Sequence, residues 1–328
     1  MGGPGNWFNI HDLHVAPEGR RVTRGSWNRK DLLGLEDLSP SEIETILDAA
    51  VPFKKNGNSR KLSGRAVAFL FSEPSTRTRS SFEVAARRLG AEVLGFSAAS
   101  SSLLKGESLL DTVRNLEAMG VDYVVVRHEV SGALAPIAPA TSASLVNAGD
   151  GAHEHPTQAL LDLFTLRERK GRLRGLKVVI VGDILHSRVA RSNIHALRKL
   201  GAKATVCGPR ALVPRDMETL GAAVSHDLDR ALEGADAVIA LRLQLERQQQ
   251  NLVASLTDYY ESYGLTPERM GRAGDCVVLH PGPLNRGVEI SSEVADGPRS
   301  AVLEQVANGV AVRMAVLSLL QDWRSKNG

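Results

Sequence analysis

The chain has 328 residues, 43% hydrophobic and 23% charged, which is an ordinary globular composition with room for two cored domains. A formal net charge of +3 is too small to argue for nucleic acid, and Cys207 and Cys276 stand far apart outside any Cys-x-x-Cys pairing. A disulfide scaffold and a zinc ribbon are thereby excluded, and a reducing cytoplasm is expected. No run approaches the ~18 apolar residues of a membrane span, and no apolar signal core opens the sequence, so neither membrane nor export is expected.

In chain order, residues 1–30 read as a flexible N-terminal extension, with order beginning near Asp31. Ser39-Pro40-Ser41-Glu42 starts a helix whose apolar face is Ile43, Ile46, Leu47 and Ala50. Residues 65–71 form a buried strand. Phe82, Val84, Ala85, Ala86 and Leu89 then mark a helix that Gly90 stops. A second strand covers 91–96, a polar Ser-rich loop 97–107, and a helix 108–119. Strands follow at 123–127 and 143–147, then a helix at 155–169. After the Gly-bearing connector 172–176 the alternation resumes. Strands are expected at 177–182, 204–207, 237–240 and 276–279, and a helix over 193–200. The final helix, 302–323, carries Val302, Val306, Val310 and Met314 on one stripe. Such alternation specifies an α/β protein with two doubly wound parallel sheets and helices on both faces. Ligands of these sheets lie at the carboxyl ends of strands.

The stretch Phe71-Ser72-Glu73-Pro74-Ser75-Thr76-Arg77-Thr78-Arg79 joins a strand to a helix start. Ser75 and Thr76 fall at the cap, where free N–H groups and the helix dipole favour an anion. Arg77 and Arg79 add guanidiniums that can grip phosphate oxygens. The plain alternative is a capped helix followed by a solvated basic turn. His153-Glu154-His155-Pro156-Thr157-Gln158 opens another helix and puts His155 and Gln158 near one face. No further ligand set accompanies the two histidines, so hydrogen bonding is preferred to a metal. Val181-Gly182-Asp183 resembles a dinucleotide turn but lacks Gly-x-Gly-x-x-Gly, which argues against a nucleotide cofactor and a dehydrogenase. Arg188 stands where a helix start would face a carboxylate, or is a surface arginine. Neither a cofactor nor a metal is expected.

Ser75-Thr76-Arg77-Thr78 after Phe-x-Glu-x resembles the carbamoyl-phosphate loop of the transcarbamylases, and His155-Pro-Thr-Gln158 resembles their second signature. Tyr123–Arg127 is similar to the strand that supplies another arginine, and Ser101-x-x-x-Lys105-Gly-Glu is similar to their lysine loop. Arg242-x-Gln244-x-Glu246-Arg247 and His280-Pro-Gly282-Pro283 resemble the aspartate branch; the Ser-Met-Gly and His-Cys-Leu-Pro of the ornithine branch do not occur. The resemblance covers about residues 31–322 and implies carbamoyl transfer from carbamoyl phosphate to L-aspartate, in pyrimidine synthesis. It implies a carbamoyl-phosphate domain of 31–171 plus 302–328 and an aspartate domain of 172–301, with the last helix returning to the first.

By the same resemblance, Ser75, Thr76, Arg77 and Thr78 hold the phosphate. Thr78, Arg127 and His155 polarise the carbamoyl oxygen. Gln158, Gly282 and Pro283 hold the carbamoyl NH2, and Arg188, Arg242 and Gln244 meet aspartate. Lys105 also serves aspartate and, with Ser101, comes from the neighbouring subunit of a homotrimer. The two alternatives are a carbamoyltransferase for another amino acid such as ornithine, and a non-catalytic relative with a structural or regulatory role. Whether a regulatory chain or a dihydroorotase binds is left open.

Overall fold

The computed structural model describes residues 27–95, 107–244 and 255–327. Helix α1 (Pro40–Asn56) begins with a complete capping box: Ser39 Oγ accepts from Glu42 N, and the Glu42 carboxylate accepts from Ser39 N. Its buried residues are Ile43, Ile46, Leu47 and Ala50, the expected face. Order begins before Asp31, for Trp27 is buried in the core and Lys30 Nζ donates to the carbonyls of Ala138 and Thr141.

The first sheet contains β1 (Ala66–Phe71), β2 (Glu92–Gly95), β3 (Tyr123–His128) and β4 (Ser144–Asp150), in the order β2-β1-β3-β4 and parallel throughout. Helices α2 (Thr76–Arg88), α3 (Leu109–Ala118) and α4 (Pro156–Lys170) accompany it. The second sheet contains β5 (Lys177–Val181), β6 (Lys203–Cys207), β7 (Ala223–Ser225), β8 (Ala237–Ala240) and β9 (Val277–Leu279). Its order is β7-β6-β5-β8-β9, again parallel. Helix α5 (Arg188–Lys199) and the short helices α6 (Leu228–Leu232), α7 (Leu256–Tyr263), α8 (Pro267–Arg272) and α9 (Ser292–Ala295) complete this unit.

The central strands read as continuous apolar runs because both faces are covered by helices: Val67 to Phe71 and Val178 to Val181 are all buried. Helix α4 packs on α5, and one apolar cluster runs through both units, including Val67, Phe82 and Phe164 from the first and Ile180, Ile194 and Leu197 from the second.

Helix α10 (Val302–Asn327) returns to the first sheet and packs on α1, α2 and α4. By length and composition it could cross a membrane, yet 67% of its most apolar window is buried inside the fold. Here the expected stripe is corrected. Val306 is 54% exposed and Leu303 83%, whereas Val312 and Met314 to Leu317 are buried almost all round the helix. The second half of α10 is enclosed by three helices, so one amphipathic face does not describe it.

Candidate active site

Both sheets reverse their strand order once, between β1 and β3 in the first and between β5 and β8 in the second. Connections leave such a point in opposite directions and open a crevice at the carboxyl ends of the strands. A cleft of about 860 Å³ lies there, within the range of small-molecule sites. From the first unit it is lined by Glu73–Thr78 after β1, Arg127 near the end of β3, and His155 and Gln158 at the start of α4. The second unit supplies Ser187–Val189 at the start of α5, Leu241, Arg242 and Gln244 after β8, and Pro281–Pro283 after β9. The sequence-nominated residues thus converge, with three exceptions: Arg79 does not line the cleft, its Nε donating instead to Glu83 Oε1 one turn along α2 at 2.8 Å, and Ser101 and Lys105 lie outside the described residues. Arg127 belongs to β3 itself, opposite Phe71, as the expected strand 123–127 has it.

Helix α2 starts at Thr76 with Ser75 as N-cap, and the Ser75 side chain makes no capping bond. The unpaired N–H groups of its first turn and the exposed Arg77 form an anion-binding corner. Arg77 lies against Gly282, which has a φ of 69°. A Cβ at that glycine would stand 3.2 Å from Arg77 Cζ, so glycine lets the guanidinium lie flat over the turn.

Glu73 was quoted within the sequence motif but given no role; the structure gives it one. Arg188 Nη2 donates to Glu73 Oε2 at 2.5 Å, and Arg127 Nε lies 3.3 Å from the same oxygen. The carboxylate ties the start of α5 to the end of β3 across the cleft. The signal for it was a lone acid among hydroxyls and arginines at a strand end. Arg188 is only 6% exposed, at the dipole-positive end of α5.

His155 occupies the N-cap position of α4 without a side-chain capping bond, and its backbone N–H donates to Ser192 Oγ at 2.8 Å. Burial first, then the nearby Arg127, Arg313 and Arg188 guanidiniums, hold its imidazole well below the usual histidine range. The ring is therefore neutral at physiological pH and retains one N–H to donate. Its Nδ1 is buried without a hydrogen-bond partner among the described residues. His153 does not line the cleft; its Nδ1 lies 2.9 Å from Asp150 Oδ2. Outside the cleft, Glu36, Glu154 and His195 bring ligand-type atoms within 4.8 Å of one another. The buried Glu154 already accepts from Leu35 N, Glu36 N and Ser192 Oγ, which makes that group a structural clasp.

On the opposite wall, Gln244 N donates to Asp183 Oδ2 at 3.2 Å and Gln244 Nε2 to His186 O at 3.1 Å. The turn after β5, which looked like a degenerate dinucleotide loop, thus fixes Gln244. Asp183, fully buried, was not nominated from sequence. Arg242 Nη1 donates to Leu243 O at 3.2 Å.

A cleft between two parallel-sheet units, with an arginine-bearing helix start that lacks a side-chain cap on one wall and two arginines on the other, is suited to two anionic ligands. The family model for the carbamoyl-P binding domain of aspartate/ornithine carbamoyltransferases matches residues 30–168, and that for their Asp/Orn binding domain matches 174–320. The chain belongs to the aspartate/ornithine carbamoyltransferase family. It is 58% identical over 300 residues to the aspartate carbamoyltransferase catalytic subunit of Desulforamulus reducens, covering 90% of this chain and 96% of the relative. It is 56% identical over 300 residues to that of Syntrophobacter fumaroxidans, covering 90% and 98%. Among solved structures it resembles aspartate transcarbamoylase from Trypanosoma cruzi in complex with carbamoyl phosphate and aspartate, with a TM-score of 0.80 and 32% identity over 89% of this chain and 97% of that one. It also resembles ornithine carbamoyltransferase from Pyrococcus furiosus, with a TM-score of 0.80 and 31% identity over 90% and 98%.

Proposed function

We propose that the protein is an aspartate carbamoyltransferase, moving the carbamoyl group of carbamoyl phosphate to the amine of L-aspartate and releasing phosphate. The observation that carries this reading is the pair Arg188 and Arg242 on the wall facing the Arg77 corner. Two guanidiniums suit the two carboxylates of aspartate, whereas the second ammonium of ornithine would meet like charge. The fold is shared with an ornithine enzyme, so this chemistry and the high identity to aspartate enzymes support the choice of branch.

In this reading Ser75, Thr76, Arg77 and Thr78 hold the phosphate. Thr78, Arg127 and the neutral His155 donate to the carbamoyl oxygen as negative charge builds there. Gln158 and the Gly282–Pro283 backbone accept from the carbamoyl NH2, and Gln244 orients aspartate beside Arg188 and Arg242. The aspartate amine attacks the carbamoyl carbon, the bond to the phosphate oxygen breaks, and the departing phosphate takes the amine proton. Catalysis rests on positioning and electrostatics, with closure of the two units excluding water. N-(phosphonacetyl)-L-aspartate, which joins both anionic ends in one molecule, should inhibit competitively with carbamoyl phosphate at concentrations at least about 100-fold below the KM of either substrate. Inhibition no better than by phosphate alone would mean that the two walls do not serve one reaction.

The same reading includes a homotrimer with active sites shared between chains, Ser101 and Lys105 being donated by a neighbour. The support is the family resemblance of the lysine loop. Lys105→Ala and Arg77→Ala should each lose activity by about 10-fold or more, and co-refolding the two should restore part of it in mixed trimers. Mixed trimers without restored activity would place Lys105 in its own chain's site.

A further inference from the structure

Behind the cleft floor lies a buried polar chain that none of the roles above uses. It begins at a backbone group. His280 N–H, which can only donate, donates to Gln305 Oε1 at 2.9 Å. That bond fixes the Gln305 amide, whose Nε2 donates to Asp162 Oδ1 at 2.7 Å. Asp162 Oδ1 is thereby an acceptor, and Gln158 Nε2 donates to it at 2.9 Å. Asn193 Nδ2 donates to the other oxygen at 2.9 Å. Asp162 is fully buried and sits where α4, α5 and α10 meet. The Arg313 guanidinium on α10 is the cation that offsets its charge. Burial nonetheless pushes the Asp162 carboxyl up to about 6, so it is mostly ionised at neutral pH.

The consequence lies at the Gln158 amide. With its NH2 committed to Asp162, its oxygen is the group left for the cleft that Gln158 lines. A reversed amide would set two oxygens against each other in a buried site, a costly arrangement. The chain also starts at the residue that opens the His280-Pro281-Gly282-Pro283 turn.

We infer that Asp162 is a positioning residue for carbamoyl recognition: it keeps the Gln158 amide oxygen aimed at the carbamoyl NH2 and, through Gln305, ties the Gly282–Pro283 turn to the same task. The inference rests on the proposed role of Gln158. It concerns how the site tells an NH2 group from a methyl group, not how it holds phosphate.

The test compares carbamoyl phosphate with acetyl phosphate, which has CH3 in place of NH2. For each variant the KM for carbamoyl phosphate is set against the inhibition constants of acetyl phosphate and inorganic phosphate. Asp162→Leu removes the acceptor and should cut the preference for carbamoyl over acetyl phosphate by about 10-fold, with phosphate inhibition unchanged within about 3-fold. Asp162→Asn should keep most of the preference. Its remaining oxygen can face Gln158 and Gln305 while its NH2 faces Asn193, which by turning its amide over presents Oδ1, an atom without a hydrogen-bond partner among the described residues, at the cost of its 3.1 Å bond to Val189 O. Equal loss for carbamoyl phosphate, acetyl phosphate and phosphate would reveal a general structural role and overturn the inference. So would an unchanged preference in Asp162→Leu, or a loss in Asp162→Asn as large as in Asp162→Leu. If Asp162→Leu does not fold, Gln305→Ala decides: a fall of at least about 3-fold in the preference is expected, and no change overturns the relay. Gln158→Ala, measured alongside, separates the two levels. If it leaves the preference intact, the proposed role of Gln158 fails and the inference with it. If it abolishes the preference while the Asp162 and Gln305 variants do not, only the inference fails.

Discussion

Arg77→Ala should lower kcat/KM for carbamoyl phosphate by about 10- to 150-fold or more, with the fold intact. A charge-assisted hydrogen bond contributes about 1.5–3 kcal/mol, and each 1.4 kcal/mol is a factor of ten. Arg77 is exposed on the first turn of α2, lies over a glycine, and is not part of the apolar clusters. Its loss should therefore change unfolding stability by no more than about 0.5 kcal/mol. Thermal unfolding beside steady-state kinetics separates the outcomes. An unfolded variant would make the Ser75–Arg79 stretch structural, and a fully active one would put the phosphate elsewhere.

Arg188→Ala should act on the other substrate. The KM for aspartate should rise by about 10-fold or more while the KM for carbamoyl phosphate changes less, because Arg188 stands on the wall away from Arg77. A second effect adds to the first: without Arg188, the Glu73 carboxylate loses its 2.5 Å partner and stands beside an incoming dianion. Glu73→Gln in the Arg188→Ala background should recover part of the aspartate affinity by removing that repulsion. If instead the carbamoyl-phosphate KM rises and the aspartate KM stays put, the two walls have been assigned the wrong way round. Arg188→Lys should not restore activity, since an ammonium cannot reproduce the planar fork between Glu73 and a carboxylate.

The architecture was legible wherever a strand is buried on both faces. Ala66–Phe71 and Lys177–Val181 stand out as apolar runs, and Ser39 and Ser108 announce helices by their capping hydroxyls. Strand β7 and helices α6 to α9 were not found, because three to eight residues give no measurable period. Helix α5 begins at Arg188, where a helix start was expected, and runs to Lys199; its Ser187 cap precedes the polar Arg188 and Arg191 rather than an apolar run, so only 193–200 was legible as helix from its pattern. The cleft was legible as motifs because turn, cap and cation fall within a few residues of each other. What stayed hidden were partners distant in sequence: Glu73 with Arg188, Asp183 with Gln244, and Asp162 with Gln305. A single acid carries no local sign of the donor it will meet 61 to 143 residues on.

The most direct measurement offers the enzyme carbamoyl phosphate labelled in the carbamoyl carbon, with equal concentrations of L-aspartate and L-ornithine, and separates the products. The expected result is label almost wholly in N-carbamoyl-L-aspartate, released with one phosphate per carbamoyl group transferred. Label predominantly in citrulline, or label in neither product while the folded protein still binds carbamoyl phosphate, would contradict an aspartate carbamoyltransferase.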